Sequence, residues 1–345
     1  MDLTFPEAEQ AVAELVAAAD TVVPLGSGTH HEVGGPPPVG TAVRAPAGIV
    51  TYDPAELTVT VGAGTAVAAL TAALGEADQE CALDPRDPLA TIGGTLACGL
   101  SGPRRLRYGP LRDRVLEVRF ANGEGRLVRG GGPTVKNVTG YDMPRLLVGS
   151  FGTLGVLTRV ILRCQPRSLQ SFWGTTDQAP DAVLARCFRP STVFWDGARA
   201  AVLLEGHPDD VAAQAEAAGL EPLDTPPPFP DGQHRGRASV APARVATFSA
   251  ALDSLAGVRW LAESGVGTVH VACDDEVELG AARAAAEAAG GWLLREAGAP
   301  NLDGFGIALP NAALMTRVKA AFDPEGKMAP GRLPFPIVAR EAARG

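Results

Sequence analysis

Ala90-Thr91-Ile92-Gly93-Gly94-Thr95-Leu96-Ala97-Cys98-Gly99-Leu100-Ser101-Gly102-Pro103-Arg104-Arg105 is the stretch on which the fold turns. Small residues over such a span let a planar ligand lie directly against main chain, because no Cβ holds it off. The same residues also suit a tight crossover that binds nothing, so neighbouring segments decide between the two. Upstream, Pro24-Leu25-Gly26-Ser27-Gly28-Thr29-His30 is a glycine-rich turn directly after a predicted strand, Thr21-Leu25. Successive amides in such a turn form a concavity suited to a pyrophosphate. No Gly-Lys-Ser/Thr follows it, and His30-His31-Glu32 replaces the helix start that a Rossmann turn requires. Downstream come Lys136-Asn137-Val138-Thr139-Gly140-Tyr141-Asp142 and Gly149-Ser150-Phe151-Gly152-Thr153-Leu154-Gly155, the latter leading into an alternating strand to Arg163. Three glycine loops in this order point to one bulky ligand.

The 345 residues suggest two domains at about 150 residues each. Hydrophobic residues make up 46% and charged residues 20%, which excludes a disordered chain. A net charge of −9 offers no global field for nucleic acid or anionic lipid. The five cysteines are scattered, with no pair at metal or cluster spacing, so no metal centre is expected. Leu57–Gly75 is uncharged, but its four threonines and three glycines read as a strand, Leu57-Val61, and a helix from about Thr65 rather than a membrane span. The amino terminus shows no signal-peptide pattern, which leads us to expect a cytoplasmic protein, membrane-associated only through partners.

The first half alternates strands and helices. Thr4 caps a helix to about Ala19 with Val12, Leu15 and Val16 inward, and Val115-Phe120, Asn122-Gly123 and Arg126-Arg129 form a hairpin. After Pro166 a second domain is expected, a small α/β sandwich. Its strands are read at Ser171-Thr175, Val193-Trp195, Ala200-Glu205, Thr268-Cys273 and Gly291-Arg295. Helices are read near Asp181-Cys187, Pro208-Ala218, Val245-Ala256 and Glu276-Ala289, and the proline-rich Glu221–Pro242 stretch as an exposed loop. His207, His234 and His270 are isolated and read as surface or core histidines.

Together the three loops resemble the vanillyl-alcohol-oxidase, or PCMH-type, FAD-binding domain. Tyr52-Asp53-Pro54-Ala55-Glu56-Leu57, Gly99–Arg105, Lys136–Asp142 and Phe322-Asp323-Pro324-Glu325-Gly326-Lys327-Met328-Ala329-Pro330-Gly331-Arg332-Leu333 are more narrowly similar to the FAD-binding E subunits of bacterial glycolate oxidases. The resemblance implies an α+β fold: a PCMH-type domain over 1–166, an α/β cap over 167–319, and a tail, 320–345, returning to the flavin. It implies non-covalent FAD, since Gly28 stands where a linking histidine would be. It also implies a small hydroxy-acid substrate and two partners, a second flavoprotein subunit and an iron–sulfur subunit.

Carried over by position, Gly26, Ser27, Gly28, Thr29 and His30 would cradle the pyrophosphate. Thr91, Ile92, Gly93 and Gly94 would follow the phosphates and ribityl chain. Ala97, Gly99, Ser101 and Gly102 would lie beside the isoalloxazine, with Gly109 and Arg112 on the same wall and Gly152, Gly155 and Val156 at the adenine end. Phe151 stands where larger catalytic relatives have an acidic residue, and Ala329 where many have asparagine. Arg104, Arg105 and Tyr108 are the candidates for a substrate site, with either arginine able to fork a carboxylate. No histidine can be placed as the base.

Overall fold

The structure, a computed structural model, describes residues 3–133, 141–307 and 309–332. Residues 136–140 of the third motif, and Leu333, lie outside the described residues. Five antiparallel strands form the first sheet, in the order Ile49–Asp53, Thr58–Gly62, Val156–Arg163, Val115–Ala121, Leu127–Gly131. Leu57 takes a left-handed conformation (φ 54°), so the predicted strand there starts one residue later. Val59 and Val61 then point inward against Val118, Phe120, Val160 and Leu162, all with at most 1% of their surface exposed. The expected hairpin forms, and the Asn122 side-chain oxygen closes it by accepting from the amides of Glu124 and Arg126.

The helix Phe5–Ala18 starts where the Thr4 amide donates to the Glu7 carboxylate at 2.7 Å. Its inner face is Glu9, Val12, Ala13 and Val16, whereas Leu15 is 53% exposed, contrary to expectation. Glu9 takes the inward place because Arg159 and Thr158 meet it at 2.8 and 3.0 Å. The first half of the glycine-rich segment is a helix, Ile92–Cys98, capped by the Thr91 hydroxyl, which accepts from the Gly94 amide, and ended by Gly99 at φ 68°.

The second sheet has eight antiparallel strands: Glu221–Pro222, Gln170–Thr176, Ala200–Gly206, Thr192–Trp195, Arg259–Glu263, Thr268–Cys273, His234–Ser239, Trp292–Ala297. The expected exposed loop over 221–242 is thus corrected, since His234–Ser239 is an interior strand. None of its residues is proline, and it alternates buried His234, Gly236 and Ala238 with half-buried Arg235, Arg237 and Ser239. Glu276–Ala288 and Val245–Asp253 pack on the Ala238 face, while Arg237 and its neighbours lie on the other. That other face turns toward the first sheet's domain: Arg237 Nη2 donates to the Ser101 carbonyl at 2.7 Å, and the Thr192 hydroxyl to the Pro103 carbonyl at 3.0 Å.

After the second sheet the helix Ala312–Phe322 comes back to the first core, where Val318 and Phe322 pack. Met328 then forms a parallel bridge with Val22, beside the pair Val22–Pro24 and Thr41–Val43.

Candidate functional site

A cavity of about 380 Å³ opens where the three glycine loops meet. Gly26, Ser27, Gly28, Thr29 and His30 line one side. Thr91, Gly93, Gly94 and Ala97 line the next, from the first turns of the helix, and Gly152, Gly155 and Val156 line the third. Among the described residues, none of the five amides from Gly26 to His30 donates to a protein acceptor. Five successive amides without a protein acceptor, on residues that line a cavity, suit phosphate oxygens. The backbone is also drawn in more tightly than side chains permit. A Cβ at Gly26 would stand 2.2 Å from Thr91 Oγ1, and one at Gly93 3.0 Å from the Ala63 carbonyl.

Two lining residues, Arg44 and Arg332, were given no role from the sequence. Arg44 donates to the Gly26 carbonyl. Arg332, from the tail, donates to the carbonyls of His31, Val33 and Gly35 and so shapes the stretch after the first loop. Phe151 and Ala329, both lining the cavity, hold left-handed conformations (φ 54° and 43°). Burial pushes the Cys98 thiol up to about 12, which keeps this lining residue protonated.

Ile92 is fully buried in the core, and Gly99, Gly109 and Arg112 line neither this cavity nor its neighbour. Gly99 sits too close to Gly149 for a side chain, with a Cβ 2.9 Å from its Cα. Arg104 has no free fork to offer a substrate. Its Nε and Nη2 meet Asp84 at 2.9 and 2.8 Å, and its Nη1 meets Glu80 at 2.7 Å and Glu205 of the second sheet at 3.2 Å. Tyr108 donates to the same Glu205 at 3.3 Å. These two residues hold the sheets together. Arg105 lines neither cavity, but it lies near enough to Arg237 and Glu263 to feel their charges.

A second cavity, of about 330 Å³, adjoins the first and shares Thr29, His30 and Val33 with it. Ser101 and Gly102 line this one, together with Arg86, Arg237, Glu263 and His270. His270 Nε2 and Glu263 Oε1 are 2.7 Å apart, with side chains 5% and 2% exposed. Sequence reading left His270 isolated because Glu263 belongs to an unread strand. The register pairs Leu261 with His270, which brings Glu263 diagonally beside the imidazole on one face, and it pairs Arg237 with His270 directly. At the join of the cavities, burial lowers the His30 pKa against smaller upward pulls from Glu296 and Asp87, so its ring is neutral at pH 7.

The donor set and the small-residue wall fit FAD: free amides for the pyrophosphate, and glycine and alanine where a planar ring system needs close approach. Residues 3–131 match the family model described as FAD binding domain. Glycolate oxidase subunit GlcE of Escherichia coli (strain K12) is 48% identical over 127 residues, 36% of each chain. Glycolate oxidase subunit GlcD of Bacillus subtilis (strain 168) is 38% identical over 155 residues, 42% of this chain and 32% of that one. D-lactate dehydrogenase of Archaeoglobus fulgidus is 42% identical over 83 residues, 24% of this chain and 19% of its own length. The matches thus span about a third or less of these relatives. A solved alkyldihydroxyacetonephosphate synthase superposes over 92% of this chain and 74% of its own, with TM-score 0.68 at 14% identity, which speaks for the fold. The chain therefore carries an FAD binding domain, folded as in PCMH-type flavoproteins.

Proposed function

We propose that the chain is an FAD-dependent oxidoreductase subunit that acts on a small 2-hydroxy acid within a heteromeric complex, in the manner of a glycolate oxidase E subunit. The observation that carries this reading is the pair of adjoining cavities: a glycine-lined one suited to a flavin, and a charged one reached past Thr29 and His30. In this reading residues 1–166 hold the cofactor, 167–319 cover it and 320–345 return to it. The names of the relatives, glycolate oxidase subunits and a D-lactate dehydrogenase, support the substrate class.

FAD, when bound, supplies the two-electron acceptor for oxidation of the alcohol. The chain's own residues would do the rest. The amides from Gly26 to His30 would hold the pyrophosphate, Arg332 would keep the following stretch in place, and Arg104 with Glu205 would fix the second sheet over the first. The charged cavity also favours a second reading, in which the chain oxidises the hydroxy acid unaided.

Anaerobic mixing with glycolate or D-lactate separates these. Partner dependence predicts that flavin in the isolated chain is reduced slowly, and that adding a second flavoprotein subunit and an iron–sulfur subunit restores turnover. Reduction of the isolated chain within seconds refutes partner dependence and establishes the second reading. No reduction by any small 2-hydroxy acid, alone or with partners, refutes the substrate class.

A further inference from the structure

We propose that Cys81 and Cys164 form a redox-modification site, a pair of thiols placed to close a disulfide within the flavin-binding half by exchange with a low-molecular-weight disulfide. The site stands independently of the proposed activity.

Strand register brings the two cysteines together. Gln79–Glu80 and Gln165–Pro166 run antiparallel, with Gln79 opposite Pro166 and Glu80 opposite Gln165, so the next step along both strands sets Cys81 opposite Cys164. Opposed positions in such a ladder alternate between hydrogen-bonded and non-hydrogen-bonded pairs. The Arg167 amide donates to the Asp78 carbonyl at 2.8 Å, which marks that pair as hydrogen-bonded, and Pro166, one step on, has no amide hydrogen to give. By alternation Cys81 and Cys164 occupy a non-hydrogen-bonded pair. Both backbones agree: the Cys164 amide turns the other way, to the Leu57 carbonyl at 2.7 Å, and the Cys81 carbonyl accepts from the Leu83 amide at 2.8 Å. Residues opposed in such a pair have Cα atoms about 4.5 Å apart, within the span of about 4.4–6.8 Å that a disulfide bridges.

The two side chains also share a direction. Both are buried, 7% and 2% exposed, in the one core that holds Val59, Leu83 and Leu162. The other cysteines lie apart, Cys187 and Cys273 in two further cores and Cys98 against the first cavity. Burial pushes the Cys164 thiol up to about 11. It raises that of Cys81 as well, with the neighbouring Cys164 adding to the rise and Arg114 opposing it. Protonated thiols are poor nucleophiles, so exchange takes place as the chain folds or opens. One cysteine thiolate attacks the small disulfide and expels one small thiolate; the second attacks the mixed disulfide and expels the other. Two cysteine thiols are thereby oxidised, and one small disulfide is reduced to two thiols. The bond would fasten the end of the strand Val156–Arg163, which leads from the third glycine loop, to the segment entering Asp84 and the second cavity.

The test refolds the full chain from urea with FAD, in glutathione buffers of graded thiol-to-disulfide ratio, and counts free thiols by alkylation under denaturing conditions. In the oxidising buffer two of the five thiols should disappear, and peptide mapping without reduction should find them in a Cys81–Cys164 cross-link. A bond that fits the native geometry and closes a loop of about eighty residues should lower the unfolding equilibrium constant about 10²- to 10³-fold relative to the reduced protein. Cys81→Ala should lose no thiol in either buffer, whereas Cys187→Ala should still lose two. A cross-link between other cysteines, retention of all five thiols in the oxidising buffer, or a cross-linked protein that unfolds more readily than the reduced one overturns the assignment. The peptide map and the unfolding comparison use wild type, so they decide even where a variant fails to fold.

Discussion

Replacing Lys319 with methionine should destabilise the protein by about 3 kcal/mol and loosen the flavin. Lys319 is 1% exposed, and its ammonium donates to the Thr153 carbonyl at 2.6 Å, to the Met328 carbonyl at 2.9 Å and to Asp323, itself fully buried. One side chain thus ties the third glycine loop to the returning tail. Methionine keeps the packing volume but strands the Asp323 carboxylate, and removing one partner of a buried pair costs about 3–5 kcal/mol. The lower end applies because Asp323 still accepts from the amides of Lys327 and Met328, at 3.1 and 2.8 Å. The pair of Lys327 and Glu325 supplies the contrast, being 3.7 Å apart with Glu325 75% exposed and the buried Lys327 ammonium also donating to the Ala17 carbonyl. Glu325→Ala should cost under about 1 kcal/mol. Urea unfolding followed by circular dichroism measures both, and FAD affinity should fall in Lys319→Met because Met328 and Ala329 pair with Val22 beside the cavity. A loss below about 1 kcal/mol with unchanged FAD affinity would show that the tail is not held through this ammonium.

Gly93→Val should abolish FAD binding, since its Cβ would already crowd the Ala63 carbonyl at 3.0 Å; full occupancy in that variant would remove the loop's assignment. Acid precipitation should release the flavin into the supernatant, because Gly28 offers no side chain for attachment, and colour persisting in the washed pellet would contradict this. His30, whose pKa burial depresses, binds its proton more readily in the unfolded chain. Stability should therefore fall as pH drops below about 6.5, and His30→Gln should reduce that loss. An identical pH slope in the variant's urea unfolding between pH 7 and pH 5.5 would exclude this contribution.

The flavin-binding half was legible because its signals are local: a glycine turn after a strand, a run of small residues from Ala90 to Gly102, and an alternating strand after Gly155. Those features depend on residues a few positions apart. In the second sheet the apolar runs within Thr192–Trp195, Ala200–Gly206 and Thr268–Cys273 were legible, whereas His234–Ser239, polar and beside five upstream prolines, and Arg259–Glu263, with a charge at each end, went unread. Arg104 misled because its charge run suggests a ligand, whereas its partners Glu80, Asp84 and Glu205 come from distant segments. His270 was dismissed for the converse reason. Its meaning comes from Glu263 and Arg237, which only strand register brings beside it.

The most direct test is FAD titration of the purified full chain, followed by visible absorbance and by circular dichroism for integrity. The first cavity predicts one FAD per chain, with the bands of oxidised flavin either present on purification or appearing on addition. A folded protein that takes up no FAD at saturating concentration would contradict the account.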